Sequence, residues 1–170
     1  MMGRPKKTPI RSALKKSSAL QKEVQDGIGA VERSHRNCLA VEIRASFGDS
    51  LDLDKALVKG HEQENRWDYL LGHTQSGEVI GLEPHTARQD QIRTVIRKKN
   101  ATMQQLACHL KSGVRITAWL WVASGRVQFA ATEKARRRLD QQGIRFVDRK
   151  VQSKHLPATV FKSKKTSHGR

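Results

Sequence analysis

The chain is poor in several residue classes, and each shortage excludes something. It has 2 cysteines, Cys38 and Cys108, in 170 residues, too few for a disulfide framework, so both read as reduced thiols. Aromatic residues make up 5% and hydrophobic residues 36%, which is thin for a globular chain and points to segments outside the core. No run of about 18 apolar residues is present to span a bilayer. No apolar signal core follows the basic N-terminus, so no membrane partner is expected and the cytoplasm is the expected compartment. Gly-rich phosphate loops and the Gly-x-Ser-x-Gly elbow are also missing. His35-Arg36-Asn37-Cys38 and Cys108-His109 lack the spacing of a zinc finger. There is no internal repeat.

What the chain does have is positive charge: 33 Lys+Arg against 16 Asp+Glu, a formal net charge of +17. Such an excess repels itself and answers a polyanion, of which a phosphate backbone is the commonest. Its distribution is uneven. Residues 1–22 carry seven basic residues and no acid, as do residues 149–170, leaving +3 for the rest. Within that rest, 23–87 is acidic (−6) and 88–148 basic (+9). These shifts predict one globular domain over 23–148 between a disordered basic arm at 1–22 and a flexible basic tail at 149–170. Gly3-Arg4-Pro5-Lys6-Lys7 resembles the Gly-Arg-Pro centre of an AT-hook, whose arginine enters a minor groove. Arg4, Lys6 and Lys7 are therefore expected to touch nucleic acid, either in that way or as a solvated arm.

Leu20, Val24, Ile28 and Val31 have helical spacing, weakened by Gly27 and Gly29. A short helix is expected over 50–60 with Ser50 as its N-cap. Residues 67–71 and 79–83, joined by the polar turn at 73–77, predict a β-hairpin that Pro84 helps to end. Ile92, Val95, Ile96, Met103, Leu106, Ala107 and Leu110 predict a helix over about 87–110, with Arg93, Arg97 and Lys98 on its outer face and Lys99 snorkelling from the apolar stripe. A strand over 114–123, apolar on both faces, follows. Trp119 and Trp121 on it read as core, with base stacking as the other possibility. A turn at Ser124-Gly125, a short strand at 126–129, a helix over about 131–142 and a strand over 144–147 complete the pattern. This is an α+β or α/β domain with a mixed sheet flanked by helices. Lys134, Arg136, Arg137 and Arg138 lie on the second helix.

Asp68, Glu83 and His85 sit on the hairpin, and Glu83 and His85 share a face because side chains alternate along a strand. Antiparallel pairing can bring Asp68 beside them. Two carboxylates at a sheet edge suit Mg²⁺, an oxygen-seeking ion that keeps several waters and can activate water against a phosphodiester. The same residues also read as structure, with Asp68 an exposed strand residue and Glu83-Pro84-His85 a turn capping the next helix.

Trp67-Asp68, the hairpin, Glu83-x-His85, the long helix and the apolar strand resemble the core of the PD-(D/E)XK, or restriction-endonuclease-like, phosphodiesterases over residues 60–147. The resemblance implies a restriction-endonuclease-like fold, metal roles for Asp68 and Glu83, and a lysine two residues after the Glu. Here that position is His85. Histidine can serve as base or ligand, and His85 and Arg88 are the favoured catalytic groups, Lys99 being too far along the helix. Glu32, Glu42 or Glu64 would supply a further acid, and Gln89 and Gln91 occupy the place of a helix polar residue. The segments Trp-Asp-Tyr-Leu, Gly-Leu-Glu-Pro-His and Trp-Val-Ala-Ser-Gly are also similar to those of a kind of bacterial protein. The expected activity is Mg²⁺-dependent hydrolysis of nucleic acid, DNA rather than RNA, with Arg93, Arg97, Lys98, Lys134 and Arg136–Arg138 on phosphates. The alternative is a non-catalytic nucleic-acid-binding protein that uses its basic arms.

Overall fold

A computed structural model describes residues 6–128 and 132–158. Arg4, with most of the AT-hook-like segment, lies outside them, as do Lys162, Lys164, Lys165 and Arg170 of the tail. The helices are α1 (Pro9–Ala13), α2 (Leu53–Leu57), α3 (Ile92–Leu106) and α4 (Glu133–Gln141). The strands are β1 (Gln25–Asp26), β2 (Phe47–Asp52), β3 (Tyr69–His73), β4 (Glu78–Arg88), β5 (Ile116–Gln128) and β6 (Ile144–Phe146). They form one six-stranded mixed open sheet in which spatial order follows chain order. β1 to β4 pair antiparallel. β4–β5 and β5–β6 pair parallel, because α3 and α4 carry the chain back each time, as parallel pairing requires.

The sheet is buried on both faces. One face packs Leu70, Trp119, Trp121 and Ile144 against α3, α4 and α1, with Trp67 and Trp119 meeting edge to face at 5.0 Å. The other packs Leu71, Ile80, Leu82, Leu120 and Val122 beneath Val31, Leu39, Ile43 and Val151, which arrive on short 3-10 turns and the C-terminal loop. Both tryptophans of β5 are thus core. Gly81 makes this possible, since a Cβ there would fall 2.5 Å from Trp119 Cε3.

Several expectations change. Residues 6–22 are not a loose arm: α1 is docked, with Ile10 and Leu14 buried. The cause is Asp49 on β2, whose carboxylate accepts the N–H groups of Ile10 and Arg11 at 3.1 and 3.0 Å, satisfying helix-start donors. Gly72 leaves room for it, because a Cβ there would lie 2.0 Å from Asp49 Oδ1. Nor is 149–158 free of the fold. Val151 is buried and exchanges backbone hydrogen bonds with Cys38 and Ala40.

Residues 19–46 hold 3-10 turns and β1 in place of a helix, and β2 begins at Phe47. The short helix starts at Leu53 with Asp52, not Ser50, as its cap. β4 runs through Pro84, because β3 pairing stops at Tyr69↔Leu82 and the missing N–H has no ladder to break on that side. This extension delays α3 to Ile92. β5 likewise continues through Ser124-Gly125. Its pairing jumps from His85↔Ala123 to Ala87↔Val127, a bulge in which Gly125 takes a φ of 108°. Phe129 lies outside the described residues.

Candidate active site

The site begins with register. Tyr69 pairs with Leu82, so one step further Asp68 meets Glu83, and the Asp68 N–H donates to Glu83 Oε2 at 2.8 Å. Alternation along β4 turns Glu83 toward α3, away from the Ile80–Leu82 face. Trp67 then fixes α3. Its N–H donates to Thr102 Oγ1 at 2.7 Å, its indole N–H to Val95 O at 3.2 Å, and the Thr102 hydroxyl donates to Lys98 O at 2.7 Å. One residue before Asp68 thus grips the turn of helix that carries Lys98.

Lys98 is consequently not on the outer face. Its side chain is 14% exposed, its ammonium donates to Glu83 Oε1, and it lies 3.8 Å from Asp68 Oδ1. The two carboxylates converge on one lysine. His85 completes the group, with Nδ1 3.5 Å from Glu83 Oε1 and Nε2 2.7 Å from Gln91 Oε1. With the Gln91 oxygen as acceptor, Nε2 carries the proton and Nδ1 faces the carboxylate.

Arg88 stays outside, half-exposed and 3.4 Å from Asp90. Lys99 donates to Gln142 O, a buried-stem arrangement, and burial pushes its ammonium pKa down. Gln89 belongs to the turn before α3. Glu32 lines a small cleft of about 180 Å³ with Asp52, Asp54, Asp68 and Tyr69, while Glu64 pairs with His61 at 2.7 Å and Glu42 is exposed elsewhere. Arg93, Arg97, Lys134, Arg136, Arg137 and Arg138 are exposed as expected, and Arg137 pairs with Glu133. Lys6 donates to Ala45 O at 3.3 Å, and Lys7 is exposed. Cys38 and Cys108 are free thiols.

The electrostatics follow from depth. Burial pushes the Glu83 carboxyl up to about 8, against the attraction of Lys98 and with added repulsion from Asp68. Asp68 is also raised, first by desolvation, with Lys98 and His35 opposing and Asp54 and Asp52 adding to the rise. Two acids facing one ammonium leave an excess of negative potential that a cation or a proton would offset.

Among the described residues no group of three or more His, Cys, Asp and Glu side chains converges as a metal cage. Two carboxylates alone do not suit zinc, whose sites take three or four protein ligands, mostly histidine and cysteine. They do suit Mg²⁺, for which one or two carboxylates and waters suffice. Asp68, with a side chain 25% exposed, and Glu83 are the residues that would hold it.

Comparison with known proteins supplies no relative: no family model, no curated protein and no solved structure matches this chain. No helix among the described residues is long and apolar enough to cross a membrane.

Proposed function

We propose that this protein is a Mg²⁺-dependent phosphodiesterase acting on nucleic acid, DNA in the first instance, with a restriction-endonuclease-like core. The observation that carries the reading is the meeting of Asp68, Glu83 and Lys98, which come from the start of β3, from β4 and from α3. Sequence order and the parallel β4–β5 pair around α3 are consistent with that core. Lys98 supplies from the helix the cation that the resemblance expects at residue 85.

Bound at Asp68 and Glu83, Mg²⁺ would provide Lewis acidity toward the phosphodiester and a more acidic water. The chain's own groups supply the rest. Lys98, held among the carboxylates, stabilises negative charge that grows on the phosphoryl oxygens. His85 Nδ1 accepts the proton of the attacking water, and Gln91 holds the ring in the tautomer that this needs. Arg93 and Arg97 on α3 and the exposed α4 arginines give phosphate attraction along the same face of the sheet.

A second reading, a non-catalytic nucleic-acid-binding protein, is favoured by one fact. Both Glu83 oxygens already have donors within the chain, so the carboxylate is hydrogen-bonded as a buried strut would be.

The two part experimentally. Labelled single-stranded and plasmid DNA are incubated with the full chain and Mg²⁺ or Mn²⁺, beside Asp68→Asn and Lys98→Met. The nuclease reading expects metal-dependent cleavage that falls at least about a hundredfold in each variant, in line with loss of a transition-state charge stabiliser, while binding in EDTA persists. Cleavage that survives both substitutions, or steep salt-dependent binding with no turnover, selects against it.

A further inference from the structure

A second cleft lies where the bulge of β5 at Ala123–Gly125 meets the 3-10 turn at Arg33–Cys38. It measures about 620 Å³, its lining includes Ser34, His35, Asn37, Ser124, Arg149 and Lys150, and no acid lines it. Its walls are fixed by backbone hydrogen bonds. Ala123 N donates to Asp148 O at 2.7 Å, which ties the segment bearing Arg149 and Lys150 to β5 just before its bulge. Val151 N then donates to Cys38 O at 2.7 Å and Ala40 N to Val151 O at 3.0 Å, which ties it to the turn. Ser34, Asn37, Ser124, Arg149 and Lys150 are all exposed. Among the described residues neither Arg149 nor Lys150 forms an ion pair. Two unpaired cations among neutral hydrogen-bonding side chains on a braced frame form an anion site.

Its position says which anion. Ala123 is the register partner of His85, so the cleft borders the strand next to the one that carries the candidate catalytic group, on the face covered by the 3-10 turns. His35 links the two, since it lines this cleft and also the acidic one that contains Asp68, and its Nδ1 lies 2.6 Å from the Tyr69 hydroxyl.

We propose that this cleft holds the backbone of a nucleic-acid strand, taking one or two phosphates on Arg149 and Lys150 while an adjoining linkage lies at Asp68, Glu83 and Lys98. It rests on the nucleic-acid part of the functional reading and not on turnover. The strand then runs past His35, which lines both clefts, from the β5 bulge to Asp68 just before β3.

Binding of a fluorescent single-stranded DNA to the full chain, measured in EDTA over a range of salt, tests this apart from catalysis. Arg149→Ala/Lys150→Ala is expected to weaken binding about tenfold near 0.1 M salt and to flatten the log–log salt slope by about 1.5, as loss of two phosphate contacts does. Ser34→Trp, which fills the cleft without changing charge, is expected to weaken it comparably. The charge-matched control Lys59→Ala/Lys111→Ala, at exposed sites elsewhere, is expected to change it less than about twofold on the same salt-linkage argument. The proposal is overturned if Ser34→Trp binds like the parent protein, if the control loses as much as the double variant, or if polyglutamate of equal charge competes as well as DNA. Absent cleavage with these losses intact removes the nuclease reading alone.

Discussion

Replacing Glu83 with glutamine turns the buried cluster into a measurement. The carboxyl has an ordinary value of 4.5 and is pushed to about 8 by burial, so the folded state binds a proton that the unfolded chain has released. A carboxyl raised in this way contributes its stability below 4.5, and the contribution is lost as pH rises toward 8. Each pH unit in that window costs about 1.4 kcal/mol. Between pH 5 and pH 8 the loss amounts to a few kcal/mol, and it applies to the parent protein but not to a neutral glutamine.

Glutamine introduces its own cost. Glu83 accepts at both oxygens, from Lys98 and from the Asp68 N–H, whereas an amide accepts at only one end. A donor left facing a donor costs about 1–3 kcal/mol at any pH. Glu83→Gln is therefore expected to be the less stable protein at pH 5 and to equal or exceed the parent at pH 8. The robust quantity is the swing between the two, which cancels the constant penalty. Urea denaturation followed by tryptophan fluorescence at several pH values reads it directly. A stability difference that moves by less than about 1 kcal/mol across this range would show that Glu83 stays ionised against Lys98, and that desolvation does not dominate the site.

Two further substitutions test the frame. Gly81→Ala places a Cβ 2.5 Å from Trp119 Cε3; the overpacking is expected to cost about 2 kcal/mol and to lower Tm by about 4–8 °C, and an unchanged Tm in calorimetry refutes the close packing. Asp49→Ala leaves the Ile10 and Arg11 N–H groups without their carboxylate. It should cost about 1.5–3 kcal/mol, the range for hydrogen bonds to a charged group, and speed tryptic cleavage at Lys15 and Lys16. Cleavage at the parent rate would mean that α1 docks without that carboxylate.

The second half of the fold was legible because its signals are local. The hairpin, α3, β5, α4 and β6 each carry a period of their own, and only their ends moved. β4 ran on where its neighbour stopped, and β5 absorbed Ser124-Gly125 as a bulge. Neither event has a signature in the strand concerned, since each depends on what lies beside it. The N-terminal region failed for a related reason. Net charge over 1–22 concealed Ile10, Ala13, Leu14 and Leu20, which are buried, and the anchor that docks them, Asp49, is far along the chain.

At the site, pairing parity placed Asp68 against Glu83 correctly, but hydrophobic periodicity misplaced the lysine. The buried stripe of α3 is Ile92, Val95, Thr102, Gln105 and Leu106, and Lys98 lies on it, three residues from Val95 and four from Thr102. Sorting α3 by apolarity sends all such polar positions outward, together with Arg93 and Arg97. The clue available in sequence was the pair Lys98 and Thr102 at helical spacing, facing a hairpin that buries an acid and starts with Trp67. A helix whose inward stripe is interrupted by a cation and a hydroxyl must find partners for them on the sheet. Here the partners are Glu83 and the Trp67 N–H. Polar interruptions of a buried stripe are thus better evidence of where a helix docks, and of what it brings, than the apolar residues around them.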